Sequence, residues 1–127
     1  MRRLNLALAV EIGRVLRVFS SVERGFLTEG PGPLLARLRG KGRLAQPRDA
    51  ASRERLQRAI RWVDACVPTG RSCYRRALLE IALDPFAAEE KLIIGLDVSG
   101  DSAAGHTWLG EDSVRLRMRP YDVELDV

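Results

Sequence analysis

The sequence predicts an α+β domain, with helices in the first part of the chain and an antiparallel sheet in the last. Two observations carry this. Apolar residues recur at helical spacing in several stretches before residue 84. After Lys91 the pattern changes to short apolar runs and then to apolar–charged alternation, which is strand patterning. Helices followed by strands define the α+β class.

From about residue 4 to residue 22 the apolar positions Leu4, Leu8, Ile12, Val15, Leu16 and Phe19 trace one helical stripe, with Arg14 and Arg17 on the other side. Gly25, Gly30, Pro31, Gly32 and Pro33 then predict a loop over residues 23–33. Residues 34–38 have room for only a short helix before Gly40 and Gly42. Asp49 or Ser52 can cap the next helix, whose Leu56, Ala59, Ile60 and Val63 keep the i, i+3, i+4, i+7 rhythm. Val67-Pro68-Thr69-Gly70 ends it. Ser72 is then an N-cap for a helix that runs from Cys73 to about Leu83, where Asp84-Pro85 stops it.

The strands follow. Residues 92–98 read as a largely buried strand, residues 105–109 as a second, and two alternating runs as a closing hairpin. In that hairpin Val114, Leu116 and Met118 alternate with arginines, while Val123, Leu125 and Val127 alternate with acids. Mirrored about Pro120-Tyr121, Arg117 would face Glu124 and Arg115 would face Asp126, each pair contributing roughly 0.2–1 kcal/mol. Residues 1–127 fit one domain, with a helical part over 1–67 and a helix plus antiparallel sheet over 68–127. A hydrophobic fraction of 46 % with only 6 % aromatics implies a core of Leu, Val, Ile and Ala.

Two cysteines, spaced Cys-x6-Cys, make neither a disulfide scaffold nor, with one histidine, a common zinc set. No metal and no cofactor are therefore expected. The apolar run after Arg3 is short, contains Asn5 and ends at Glu11 without a small-residue cleavage site, so a cytoplasmic chain is expected and membrane contact is not. Charge is uneven: residues 1–65 hold 14 Lys/Arg against 6 Asp/Glu, and residues 66–127 hold 7 against 11. The basic half suits an acidic partner surface. Without interleaved aromatics or a binding motif, nucleic acid is not expected.

The chemistry-bearing residues are Cys73 and His106, the only histidine in the chain. A thiol needs a base to serve as a nucleophile near neutral pH, and one imidazole is available. A helix start favours thiolate through the positive end of the helix dipole, and Arg75 and Arg76 add charge nearby. His106 and Trp108 fall on one face of the alternating strand, where the indole would shield the imidazole from water. A structural cysteine and a hydrogen-bonded structural histidine are the plain alternatives.

Three blocks, Cys73-Tyr-Arg-Arg-Ala-Leu-Leu, Leu92-Ile-Ile-Gly-Leu and Ala104-Gly-His-Thr-Trp-Leu, resemble the transglutaminase-like cysteine peptidase of lasso-peptide biosynthesis. The resemblance spans residues 1–118, with its specific part over 73–109. It implies a transglutaminase-like (papain-like) core, a Cys-His-Asp triad and cleavage of a ribosomally made precursor at the leader/core junction. It also implies the split form of the enzyme: a separate leader-recognition protein holds the leader peptide, and an ATP-dependent lasso cyclase closes the ring. By that resemblance Cys73 is the nucleophile, His106 the base and Arg76 the arginine of the helix. Asp122 is the choice for the acid, with Asp112 or no third member as alternatives. Gly110 stands where the family has glutamate, and Thr107 where it has alanine. These departures leave two other readings open: a degenerate, non-catalytic binding module in a peptide-maturation complex, and a transglutaminase-like amidase with another substrate.

Overall fold

Asn5 is extended and its side chain accepts the Leu8 N–H at 2.7 Å, which opens helix α1, Leu6–Thr28. Gly30 and Pro31 open α2, Pro31–Arg43; proline fits the first turn because its φ is preset and the missing N–H would lack a helical partner there. Asp49 caps α3, Ala50–Ala65, through the Ser52 N–H at 2.7 Å. Ser72 caps α4, Cys73–Leu83, and the short α5, Pro85–Glu89, follows directly. The strands are β1, Leu92–Asp97, β2, Ala104–Leu109, and β3, Val123–Asp126. The computed structural model describes residues 5–67, 72–97, 104–109 and 123–126.

The chain divides into two compact units, Met1–Glu89 and Glu90–Val127. In the first, α4 is the hub: it packs against α1, α2, α3 and α5. Leu78, Leu79, Ile81 and Ala82 of α4 are buried with Val15, Val18 and Val22 of α1, Leu34 and Leu38 of α2, and Leu56, Ile60 and Val63 of α3. Each fully buried aliphatic side chain of this kind contributes about 1.5–3 kcal/mol. In the second unit β1 is central, with order β2-β1-β3 and both pairings antiparallel.

The expectation of an α+β, transglutaminase-like (papain-like) core built on an antiparallel sheet is corrected here. The described residues are mostly helical, and strand structure is confined to short segments of six, six and four residues. The physical reason lies in helices that local breakers did not stop. α1 runs through Gly25 to Thr28, taking residues expected in a loop, and α2 runs through Gly40 and Gly42 instead of ending at residue 38. α5 adds a further turn after Asp84-Pro85.

Two glycines show why. A Cβ on Gly42 would overlap the Ile81 carbonyl oxygen and come within 2.9 Å of the Ala88 Cβ, so glycine is what lets α2 approach α4 and α5. A Cβ on Gly25 would meet the side chain of Leu34 from α2. Of the expected α1 stripe, Ile12 and Val15 are buried, but Leu16 is 50 % exposed, and Leu4 lies outside the described residues. The expected hairpin run over residues 114–119, and hence its pairing of Arg117 and Arg115 with Glu124 and Asp126, also lies outside them; the described neighbour of β3 is β1, with Gly95 opposite Glu124. Among the described residues no helix is long and apolar enough to cross a membrane.

Candidate functional site

Cys73 is the first residue of α4. Ser72 before it is extended (φ −141°, ψ 114°), and its hydroxyl oxygen accepts the Arg75 N–H at 3.1 Å. The sequence expectation of a capped helix opening on the thiol therefore holds. Cys73 is half-buried, whereas Cys66, which ends α3, is exposed; neither forms a disulfide.

Ser72, Arg75 and Arg76, close to Cys73 in the chain, join an ionic network that the sequence reading did not anticipate. Asp64, near the end of α3, is 1 % exposed. The Ser72 N–H donates to both of its carboxylate oxygens, at 3.2 and 3.1 Å. Arg75 donates to Asp64 from Nη1 at 3.0 Å and to Glu23 of α1 from Nε at 2.6 Å. Arg76 lies 3.5 Å from the other Asp64 oxygen. The Arg75 guanidinium also stands over the Phe19 ring, 5.6 Å from its centroid.

Burial works to lower the Arg75 pKa, but the hydrogen bonds and charges of Glu23 and Asp64 outweigh it and hold the group above its ordinary value. Beside the thiol, Tyr74 stacks on Phe26 with ring centroids 5.7 Å apart, and burial pushes its phenol up. The expectation that Arg75 and Arg76 lend positive charge to Cys73 thus meets an arrangement in which both arginines are engaged with carboxylates. Arg76, assigned by resemblance, sits one turn from Cys73 on the same helix.

His106 and Trp108 lie on β2, in the second unit, opposite Gly95 and Ile93 of β1. Asp122 and Asp112 lie outside the described residues. Among the described residues no cluster of three or more His, Cys, Asp or Glu is placed to hold a metal ion.

Asp64 and Glu23 are the residues that sequence reasoning missed. A signal was present: Leu56, Ile60 and Asp64 follow at i, i+4 and i+8, so an aspartate continues an apolar row of α3. Comparison of the chain with protein-family models, with curated proteins and with solved structures finds no match.

Proposed function

We propose that this chain is a cysteine endopeptidase that removes the leader from a ribosomally made lasso-peptide precursor. The observation that supports the reading is Cys73, half-buried, at the first position of a helix capped by Ser72. In this scheme His106, the chain's only histidine, takes the thiol proton. The Cys73 sulfur attacks the scissile carbonyl carbon, forming a C–S bond, and the C–N bond breaks as His106 returns the proton to the leaving amine. Water then cleaves the thioester, yielding the acid and the free thiol. Asp122 is the candidate to orient the imidazole. A separate leader-recognition protein and an ATP-dependent lasso cyclase are the partners of this scheme, and cytoplasm is its compartment.

Purified chain mixed with precursor and recognition protein should release shortened leader, and Cys73→Ala should abolish that product. Intact precursor after incubation with wild-type chain, under conditions where all three bind, overturns the reading. The engagement of Arg75 and Arg76 in ion pairs favours a second reading, a non-catalytic binding module. Thiol labelling separates the two. Labelling of Cys73 faster than Cys66, lost on His106→Ala, supports the peptidase; equal labelling supports the module.

A further inference from the structure

In a capping box the residue at the third helical position is an acid that reaches back to the N–H of the cap. In α4 that position is Arg75, which has no side-chain acceptor to offer. Asp64 of α3 supplies the missing carboxylate: both of its oxygens accept the Ser72 N–H, at 3.2 and 3.1 Å. The same carboxylate receives Arg75 at 3.0 Å and lies 3.5 Å from Arg76. Its own place is otherwise unfavourable, since an anion in the last turn of a helix opposes the helix dipole and Asp64 is 1 % exposed. An acid kept there is compensated by contacts with the start of α4, and that start carries the thiol.

We propose that Asp64 is the positioning residue of Cys73: it fixes the backbone at the helix start and holds the two neighbouring guanidinium groups, so that the reactivity of the thiol is governed from α3. Its consequence for catalysis rests on the reading of Cys73 as the nucleophile; the effect on the thiol does not. Among the described residues, the charged groups tied into the helix start are Asp64 from α3, Glu23 from α1, and Arg75 and Arg76 from α4 itself. The Tyr74 phenol, raised by burial, stays neutral where a thiol titrates.

The test uses the full chain with Cys66→Ser, so that Cys73 is the single thiol. The rate of Cys73 alkylation by iodoacetamide is followed by mass spectrometry from about pH 5 to about pH 10, a range that brackets thiol titration. Asp64→Asn removes the carboxylate shared by Arg75 and Arg76 and leaves Glu23 on Arg75, so the balance shifts toward positive charge: the midpoint of the profile should fall by about half a pH unit and the rate near neutral pH should rise roughly threefold. Asp64→Glu keeps the charge and should return the midpoint to the wild-type position. A carboxylate that only supports the fold would lower the melting temperature and leave the midpoint in place. An unchanged or raised midpoint in folded Asp64→Asn overturns the proposal. Should that variant not fold, Glu23→Gln, which alters the partly exposed end of the network, must move the midpoint in the same direction by a smaller step. No movement there overturns the proposal equally. A shifted profile in a chain that never cleaves precursor would retain Asp64 as the positioning residue and remove the peptidase reading alone.

Discussion

At the start of α4, Asp64 receives the Ser72 N–H and two arginines; at its end, Asp84 receives the Phe86 N–H at 3.0 Å and Arg53 Nε at 2.8 Å. Both carboxylates are buried, at 1 % and 0 % exposure. Their partners differ. The side chain of Arg75 is 8 % exposed, while that of Arg53 is 30 % exposed and lies over the Phe86 ring at 4.7 Å. The Asp84 arrangement is a turning device: an extended residue before Pro85 ends α4, its side chain caps the next turn, and Arg53 ties that turn to α3. The Asp64 arrangement joins three separate helices around the residue that bears the thiol. The same aspartate–arginine chemistry therefore shapes a turn at one end of the helix and sets a chemical environment at the other.

The largest expected effect breaks this comparison at its stronger end. Asp64→Ala takes one of two carboxylates from the buried Arg75 and the acceptor from the Ser72 N–H, while Glu23 stays on Arg75, so it should destabilise the fold by about 3–4 kcal/mol, the lower part of the range for a buried pair that loses one partner. Asp84→Ala should cost less, about 1–3 kcal/mol, because Arg53 can turn its head toward water and only the lost hydrogen bonds remain to be counted. Urea unfolding of the two variants measures both. A larger loss for Asp84→Ala would reverse the ranking that the arginine exposures imply.

The two ends were not equally legible in the sequence. Ser72 before Cys73, and Asp84 before Pro85, are local signals, and both boundaries of α4 were read from them. For α3 the sequence offered Asp49 or Ser52 as the cap, and the cap is Asp49. The extents of α1 and α2 were not, because Gly25, Gly40 and Gly42 suggest breaks that tertiary contact overrides. The strand positions over residues 92–97 and 104–109 were legible within a residue from apolar content, yet their small share of the chain was not. Of the candidate site, Cys73 and its cap were readable. The burial of Asp64 left a trace in the apolar row of α3, but its role did not, since its partners Ser72 and Arg75 lie 8 and 11 residues further on and Glu23, the other carboxylate on Arg75, belongs to another helix.

A pair of glycines in α2 sharpens the comparison at the other end. Gly40 has open space where a Cβ would go, so Gly40→Ala should stabilise the helix by up to about 1 kcal/mol. Gly42 faces the Ile81 carbonyl oxygen, near the end of α4, and Gly42→Ala should destabilise by about 1–3 kcal/mol through overpacking that outweighs the same propensity gain. Thermal melts should therefore move in opposite directions for the two substitutions. Cys73 alkylation should be unchanged in both, since neither touches the Asp64 network. A Gly42→Ala chain with altered thiol reactivity would mean that the two ends of α4 are coupled.

The smallest effect tests the thiol end by pH. Burial raises the Tyr74 phenol above its ordinary value of about 10, so above that value the folded chain holds the phenolic proton more tightly than the unfolded one. The associated stability is fully present below about pH 10 and is lost as pH rises through the higher folded value. Tyr74→Phe removes this titration while keeping a ring to stack on Phe26. Its melting temperature should therefore decline less steeply than that of the wild type above about pH 10, and the two curves should run parallel below it. Parallel curves across the whole range would mean that the phenol meets water as freely in the folded chain as in the unfolded one. The start of α4 would then be wetter than the burial of its Asp64 and Arg75 partners implies.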